Sequence, residues 1–472
     1  MHRISMLLAA SLLACQSLAL LAEEPPSATE WLTTPDRSSL ISQSDNRIYF
    51  VAGAASSKLP VISIDKETRL QTIDGFGFAL TGGSAQLLMR MTPEKRNALL
   101  QEVFGTAGDA DGVSYLRLSI GSSDMNERVF TYDDLPPGQT DVSLKHFSLG
   151  SDLNDVIPVM EQILKINPSI RILGTPWTAP SWMKTNDNPK GGNLKPEFYE
   201  AYANYLVHYV KEMRRHGIRI DAITPQNEPL NPKNTPSMVM TAEEEAAFIK
   251  QALGPVFRKH HMATKIIVYD HNCDRPDYPM TILADKDAAK YVDGSGFHLY
   301  EGTIDAMTKV HDAYPDKNLY FTEQMVVDRR NAGNDLRVAE PVARIVIGAT
   351  ANWARNVLLW NFAADPDFGP HTDNGGCPVC EGAVTLNGDQ VTRNLAFYTV
   401  AQVSRFVRPG AVRIRTSESG EAPAHVAFLN ADGKIALLVA NTTETAQKFS
   451  IRLDGAIANV EMPAGAVATY VW

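Results

Sequence analysis

Between about residue 70 and residue 405, short runs rich in β-branched and aromatic residues alternate with longer stretches whose apolar positions recur every three to four residues. That alternation predicts βα units around a parallel sheet. Eight runs read as strands: 72–79, 113–120, 170–175, 219–225, 265–270, 294–299, 318–322 and 355–361. Eight is the number that closes a (β/α)8 TIM barrel. The intervening helices carry end signals. Thr92 is an N-cap candidate with Pro93 in the first turn and Gly105 just past the end, and Thr241 with Glu244 spells a capping box for a helix running towards Gly254. In 196–216, Phe198, Tyr202, Tyr205, Leu206, Tyr209, Val210 and Met213 form one stripe that reads as core, with Gly217 as the stop.

After Pro409 the helical period ends. Strands at 425–430 and 434–441 flank the turn Ala431-Asp432-Gly433, and 47–70 is also strand-like, so a β-sandwich beside the barrel is expected to draw on both ends of the chain. The fold class is therefore α/β, a (β/α)8 barrel with a side β-sandwich domain. The expected division is an export signal at 1–22, a leader or linker at 23–45, N-terminal strands of the β-domain at 46–70, the barrel at 71–405 and the C-terminal sandwich at 406–472.

Residues 1–22 have a basic start and an apolar run interrupted by Ser5, Ser11, Gln16 and Ser17, the pattern of a secretory signal. Leu12-Leu13-Ala14-Cys15 resembles a lipobox that would leave a lipid on Cys15. The apolar run continues past that cysteine, which favours soluble export, periplasmic or secreted. No other segment approaches a membrane span. Export makes disulfides permissible, and Cys377-Pro-Val-Cys380 reads as a loop staple or a reduced structural pair, with Cys273 unpaired. The 472 residues carry a formal charge of −10 with no concentrated basic run, which argues against nucleic acid as a partner and favours an uncharged polar substrate.

In such a barrel the working groups follow the strands, because the βα loops open on one face. Strand two is followed by Asp124, strand three by Trp177 and Trp182, strand four by Asn227 and Glu228; strand five ends in Asp270-His271-Asn272, strand six in His298 and Tyr300, strand seven in Glu323, strand eight in Trp360. Carboxylates, amides and tryptophans converging on one mouth suit a sugar. Glu323 follows Glu228 by 95 residues, three βα units of about 32 each, which places the two at the ends of strands four and seven, facing one another. Such carboxylates about 5 to 5.5 Å apart act as proton donor and nucleophile on a glycosidic bond. Trp182 reads as packing at the mouth. No ligand spacing around His271 or His371 supports a metal, and neither a cofactor nor an obligate protein partner is expected.

Five segments resemble glycoside hydrolase family 30, which includes glucosylceramidases and microbial β-1,6-glucanases. They are Gln71-Thr72-Ile73-Asp74-Gly75-Phe76-Gly77, Pro176-Trp177-Thr178-Ala179-Pro180-Ser181-Trp182-Met183-Lys184, Gln226-Asn227-Glu228-Pro229, Phe321-Thr322-Glu323-Gln324 and Ser404-Arg405-Phe406-Val407-Arg408-Pro409-Gly410. The resemblance spans roughly residues 45 to 472 and implies a retaining glycosidase with Glu228 as acid/base and Glu323 as nucleophile. Asn227 would hold the sugar 2-hydroxyl, Asp124, Trp177 and Trp360 would surround the first ring, and His298 and Tyr300 would form an aromatic pair beside the nucleophile. Glu323 is expected ionised and Glu228 raised by its neighbouring carboxylate. The chain departs from the glucosylceramidase pattern at Ser123-Asp124-Met125-Asn126, at His298-Leu299-Tyr300 and in the loop 366–382. Together with the polar Asp365, Asp367, His371, Asp373 and Asn374, this favours β-1,6-glucan or its oligosaccharides. The alternatives are a glucosylceramidase, a carbohydrate-binding barrel without turnover, and a metal-dependent hydrolase.

Overall fold

The computed structural model describes residues 26–45, 47–52, 59–328 and 335–472; the expected export signal at 1–22, with Cys15, lies outside them. Eight parallel strands close a barrel in chain order: Gly75–Leu80, Tyr115–Ile120, Arg171–Pro176, Ala222–Ile223, Lys265–Cys273, Val292–Gly302, Asn318–Glu323 and Ala354–Leu359. The last pairs with the first through Asn356–Leu359 and Gly75–Phe78. Each matches one of the eight expected runs. The fourth shrinks to two residues, since Pro225 cannot donate to a ladder. Tyr115, Leu173, Ala222, Ile267, Tyr320 and Leu358 fill the interior from six different strands, so the barrel is a packed core and not a pore.

The helices depart from their sequence signals in two places. Thr92 stands at the N-cap of Pro93–Phe104, but its hydroxyl donates to Asp389 Oδ2 instead of capping the helix. The Thr241–Glu244 capping box is present, yet the helix continues past Gly254 through a π-turn to Lys259. Gly254 is a point of close approach and not a stop, because a Cβ there would lie 2.3 Å from the Tyr291 ring. In Tyr199–Arg215 the tyrosine stripe is core: Tyr202, Tyr205 and Tyr209 are fully buried, and Gly217, at φ +77°, reverses the chain after the helix.

The β-domain draws on both chain ends. The long strand Val61–Thr72 pairs antiparallel with Val412–Thr416 and parallel with Gln447–Leu453. Residues 23–45, expected as a leader or linker, are instead partly structural, for Ser27–Thr33 pairs with Val467–Val471 and Ser42–Gln43 pairs with Ser27–Thr33. The segment was opaque because its alternation is short and bounded by Pro25-Pro26 and Pro35; its burial is decided by the partner strand at the far end of the chain. Phe428 packs edge-on against Phe76 of the first barrel strand, and Trp31 packs against Phe406, so one core runs from sandwich to barrel. Among the described residues no helix is long and apolar enough to cross a membrane.

Candidate active site

A cavity of about 680 Å³ opens where the strands end, lined by Asp124, Glu228, Tyr300, Glu323 and Trp360 among others. Asn227, His298 and Trp177 are buried behind this lining. All eight residues expected from the sequence therefore gather at one mouth. Sequence reasoning passed over the residue that joins them, Arg117.

Arg117 points inward from the second strand, 1% exposed. Its Nη1 lies 2.5 Å from Glu323 Oε2, and its Nη2 donates to Asn227 Oδ1 at 2.7 Å and Asp270 Oδ2 at 2.9 Å. The guanidinium sits over the Trp177 ring at 4.9 Å, and Trp177 packs on Trp360 with centroids 5.3 Å apart. One cation thus fixes the orientation of two carboxylates, an amide and an aromatic pair. A lone arginine between Leu116 and Leu118, in phase with Tyr115 and Ser119, is the signal that could have found it: an inward charge in a barrel strand requires buried carboxylates.

Glu323 ends the seventh strand, and Tyr300 donates to its Oε1 at 2.9 Å. Glu228 follows the short fourth strand with a left-handed φ of +43°, a strained conformation for a side chain of this kind, anchored by its N–H to the Asp270 carbonyl. Asn231 Nδ2 donates to Glu228 Oε2 at 2.7 Å. Buried His298 bridges two carboxylates, with Nδ1 at 3.1 Å from Glu228 Oε1 and Nε2 at 3.0 Å from Asp270 Oδ1. One carboxylate oxygen each of Glu228 and Glu323 and a ring nitrogen of His298 lie within 4.8 Å of one another. Trp182 does not line the cavity; its Nε1 donates to the Asp133 carbonyl and its ring packs on Phe198. Lys184, at the end of the same motif, is buried and donates to Thr178 Oγ1 and the Ser237 carbonyl, a scaffold role.

The electrostatics reverse one expectation. Burial would lower His298, but the charge of Glu323 and the hydrogen bonds to Asp270 and Glu228 raise it to about 9. Burial would likewise raise Glu228, yet the hydrogen bond and charge of His298 bring it down to about 2, where the sequence had suggested a raised value. Burial raises Glu323 against the opposing charges of His298 and Arg117. The physical reason for the reversal is the imidazole wedged between Glu228 and Asp270: its protonated form is favoured by both carboxylates, and in turn favours the ionised form of Glu228. Burial, then the charges of Glu323 and Glu228, push Asp124 up to about 8, and its Oδ1 has no hydrogen-bond partner.

The rim is mixed, with Asn231, Lys233, Asn234, Asp274, Arg275 and Glu301 beside Leu230, Pro232, Met325 and Pro378. It also carries Cys377 and Cys380, joined as a disulfide, while Cys273 is a free buried thiol.

Comparison with known proteins gives a consistent set of matches. The model of the glycosyl hydrolase family 30 TIM-barrel domain matches residues 73–407, and that of the family's beta sandwich domain matches residues 410–470. An endo-1,6-beta-D-glucanase of Neurospora crassa is 35% identical over 380 residues, 77% of each chain. One of Trichoderma harzianum is 33% identical over 393 residues, 79% of this chain and 78% of its own. The lysosomal acid glucosylceramidase of Mus musculus is 27% identical over 443 residues, 87% of this chain and 83% of its own. A solved endo-β1,6-glucanase superposes with a TM-score of 0.85 at 33% identity, over 94% of this chain and 99% of its own. SrfJ from Salmonella typhimurium gives 0.88 at 26% identity, over 95% and 99%.

Proposed function

The chain belongs to glycosyl hydrolase family 30 and is a glycosidase, and from that premise we propose that it hydrolyses β-1,6-glucan with retention, Glu323 acting as nucleophile and Glu228 as acid/base. The observation that carries the reading is the carboxylate pair of Glu228 and Glu323, with oxygens within 4.8 Å, a spacing that leaves no room for the water an inverting enzyme needs between them.

Glu323 attacks the anomeric carbon and forms an ester to the sugar as the glycosidic C–O bond breaks. Arg117 and Tyr300 hold its charge and aim one oxygen. The leaving oxygen takes a proton from Glu228, and the supply of that proton is the 3.1 Å contact with His298 Nδ1. Once the ester has removed the charge on Glu323, Glu228 withdraws a proton from water, which attacks the same carbon and releases Glu323. Asn227, its Oδ1 occupied by Arg117, offers its amide nitrogen to the 2-hydroxyl, and the unpartnered Oδ1 of Asp124 accepts from hydroxyls of the first ring. Trp360 lines the cavity as a ring platform, and Trp177 supports it from behind.

The glucan is favoured by the endo-1,6-beta-D-glucanases at 35% and 33% identity and by the amides and charges among the lining residues, which suit the hydroxyls of further sugars. The signal at 1–22 supports export to where such a polysaccharide is met, with Cys15 as a lipidation site in the alternative. The test is product release from pustulan, a linear β-1,6-glucan, in parallel with glucosylceramide in detergent. We expect pustulan turnover that Glu323→Gln abolishes. Turnover of the lipid alone transfers the enzyme to the glucosylceramidases, and pustulan bound without turnover makes it a binding barrel.

A further inference from the structure

Outside the cavity, a second group of two carboxylates and a histidine lies in the loop between the second barrel strand and the helix Val156–Ile166. One ligand atom each from Asp133, Asp141 and His146 falls within 4.8 Å of the other two. The composition equals that of the Glu228–His298–Glu323 group, but the surroundings differ. At the mouth, Arg117, Tyr300 and Asn231 donate to the carboxylates. In the loop, Asp133 is 1% exposed and neither of its oxygens has a hydrogen-bond partner among the described residues. Trp182 Nε1 donates to the Asp133 backbone carbonyl at 3.0 Å. Asp134 turns away to the Thr131 N–H and hydroxyl. Asp141 Oδ2 accepts from the His146 N–H and faces His146 Nδ1, each at 2.8 Å, and Ser143 donates to Oδ1 at 3.2 Å. Neither aspartate has a lysine or arginine within ion-pair distance among the described residues.

A carboxylate removed from water without a donor or a counter-charge is one of the costliest arrangements a fold can hold. We propose that Asp133, Asp141 and His146 bind one divalent cation of the zinc or manganese class. Two carboxylate oxygens and an imidazole nitrogen are a donor set for Zn²⁺ or Mn²⁺; Ca²⁺ and Mg²⁺ prefer oxygens alone. A nitrogen and an oxygen 2.8 Å apart, as His146 Nδ1 and Asp141 Oδ2 are, span one edge of a coordination polyhedron about an ion roughly 2 Å from each. The His146 side chain is 67% exposed, so solvent water completes the shell from outside. The bound ion would close the loop on itself across residues 133–146 and, through the Asp133 carbonyl, hold it to Trp182 after the third strand. The role is structural, away from the reacting bond.

The full chain, dialysed against a chelator and returned to chelator-free buffer, is titrated separately with Zn²⁺, Mn²⁺ and Ca²⁺ by calorimetry and followed by thermal unfolding. We expect one Zn²⁺ per chain, Mn²⁺ binding more weakly, Ca²⁺ at least tenfold weaker than Zn²⁺, and a rise in Tm of roughly 3 °C at hundredfold excess over Kd. His146→Ala alters a mostly exposed side chain and leaves the fold intact; it and Asp133→Asn should each weaken Zn²⁺ at least tenfold. No stoichiometric Zn²⁺ or Mn²⁺ on the wild-type chain, or unchanged affinity in both variants, would overturn the proposal and leave a carboxylate pair neutralised by a proton. Ca²⁺ bound as tightly as Zn²⁺ would overturn the part played by His146.

Discussion

The two ends of one barrel hold charged networks of opposite character. At the end where the strands begin, Asp74 takes two hydrogen bonds from Arg355, at 2.9 and 3.1 Å, and an ion pair from Arg171 at 2.8 Å. Nearby Asp293 is met by Tyr320, Asn318 and Lys265. Both oxygens of each aspartate are partnered. At the end where the strands finish, the charges are buried more deeply and yet polar atoms are left over: Asp124 Oδ1, Arg117 Nε, Gln226 Oε1 and His271 Nδ1 have no hydrogen-bond partner among the described residues. A network that only ties strands together satisfies itself, whereas one that awaits a ligand keeps acceptors and donors in reserve.

Changes at the mouth should therefore cost turnover far more than changes at the opposite end. Glu323→Gln is expected to lower turnover of β-1,6-glucan by about 10⁴-fold or more, since an amide cannot form the glycosyl ester. Glu228→Gln should lose roughly 10²- to 10⁴-fold on the glucan but recover its first step on a dinitrophenyl glycoside, whose leaving group needs no proton. Burst kinetics on that glycoside separate the two roles, and equal loss by both variants would merge them. Arg117→Met comes next. It leaves Asp270 and Glu323 as buried charges without their cation, an expected loss of about 3–5 kcal/mol in stability measured by denaturant unfolding, together with a fall in kcat.

The same contrast explains what the sequence could disclose. Glu228, Glu323, Asp124 and Trp360 were legible because each follows a strand whose period was clear, and strand ends in a barrel point to one place. Arg117 and Asp270 were not placed in the site, although Asp270 was noted at the end of its strand, because their role lies in contacts between residues 153 positions apart. The same distance hid the His298–Glu228 hydrogen bond and with it the direction of the Glu228 shift. The eight barrel strands came from local alternation alone. Ser27–Thr33 did not, because a partner more than 400 residues away decides its pairing.

His298 sharpens the comparison through pH. Its folded-state value is raised from 6.5 to about 9, so its contribution to stability is fully present below pH 6.5 and is lost as pH rises through about 9. The amount is of order 3 kcal/mol. The difference in unfolding free energy between the wild-type chain and His298→Gln, measured from pH 6 to pH 9.5, should shrink across that window. A difference independent of pH would mean that His298 is neutral in the folded protein and holds its two carboxylates by hydrogen bonds alone.

The smallest effect is expected at the opposite end. Asp74→Asn preserves shape and removes the charge that Arg171 and Arg355 share. Both arginines are partly exposed, at 34% and 20%, so water takes over much of the lost interaction and the cost should be about 1–2 kcal/mol of stability, not the larger amount expected for Arg117→Met. The N–H of Asp74 still pairs with the Arg355 carbonyl, which keeps the first strand in register with the eighth. Because Asp74 and Asp293 have both oxygens partnered within the protein and lie at the end away from the cavity, kcat/KM on pustulan should stay within about twofold of wild type at temperatures below the lowered Tm. A tenfold loss there, with the fold intact, would show that the two networks communicate through the packed interior of Tyr115, Tyr320 and their neighbours, and the division between a closed end and an open one would fail.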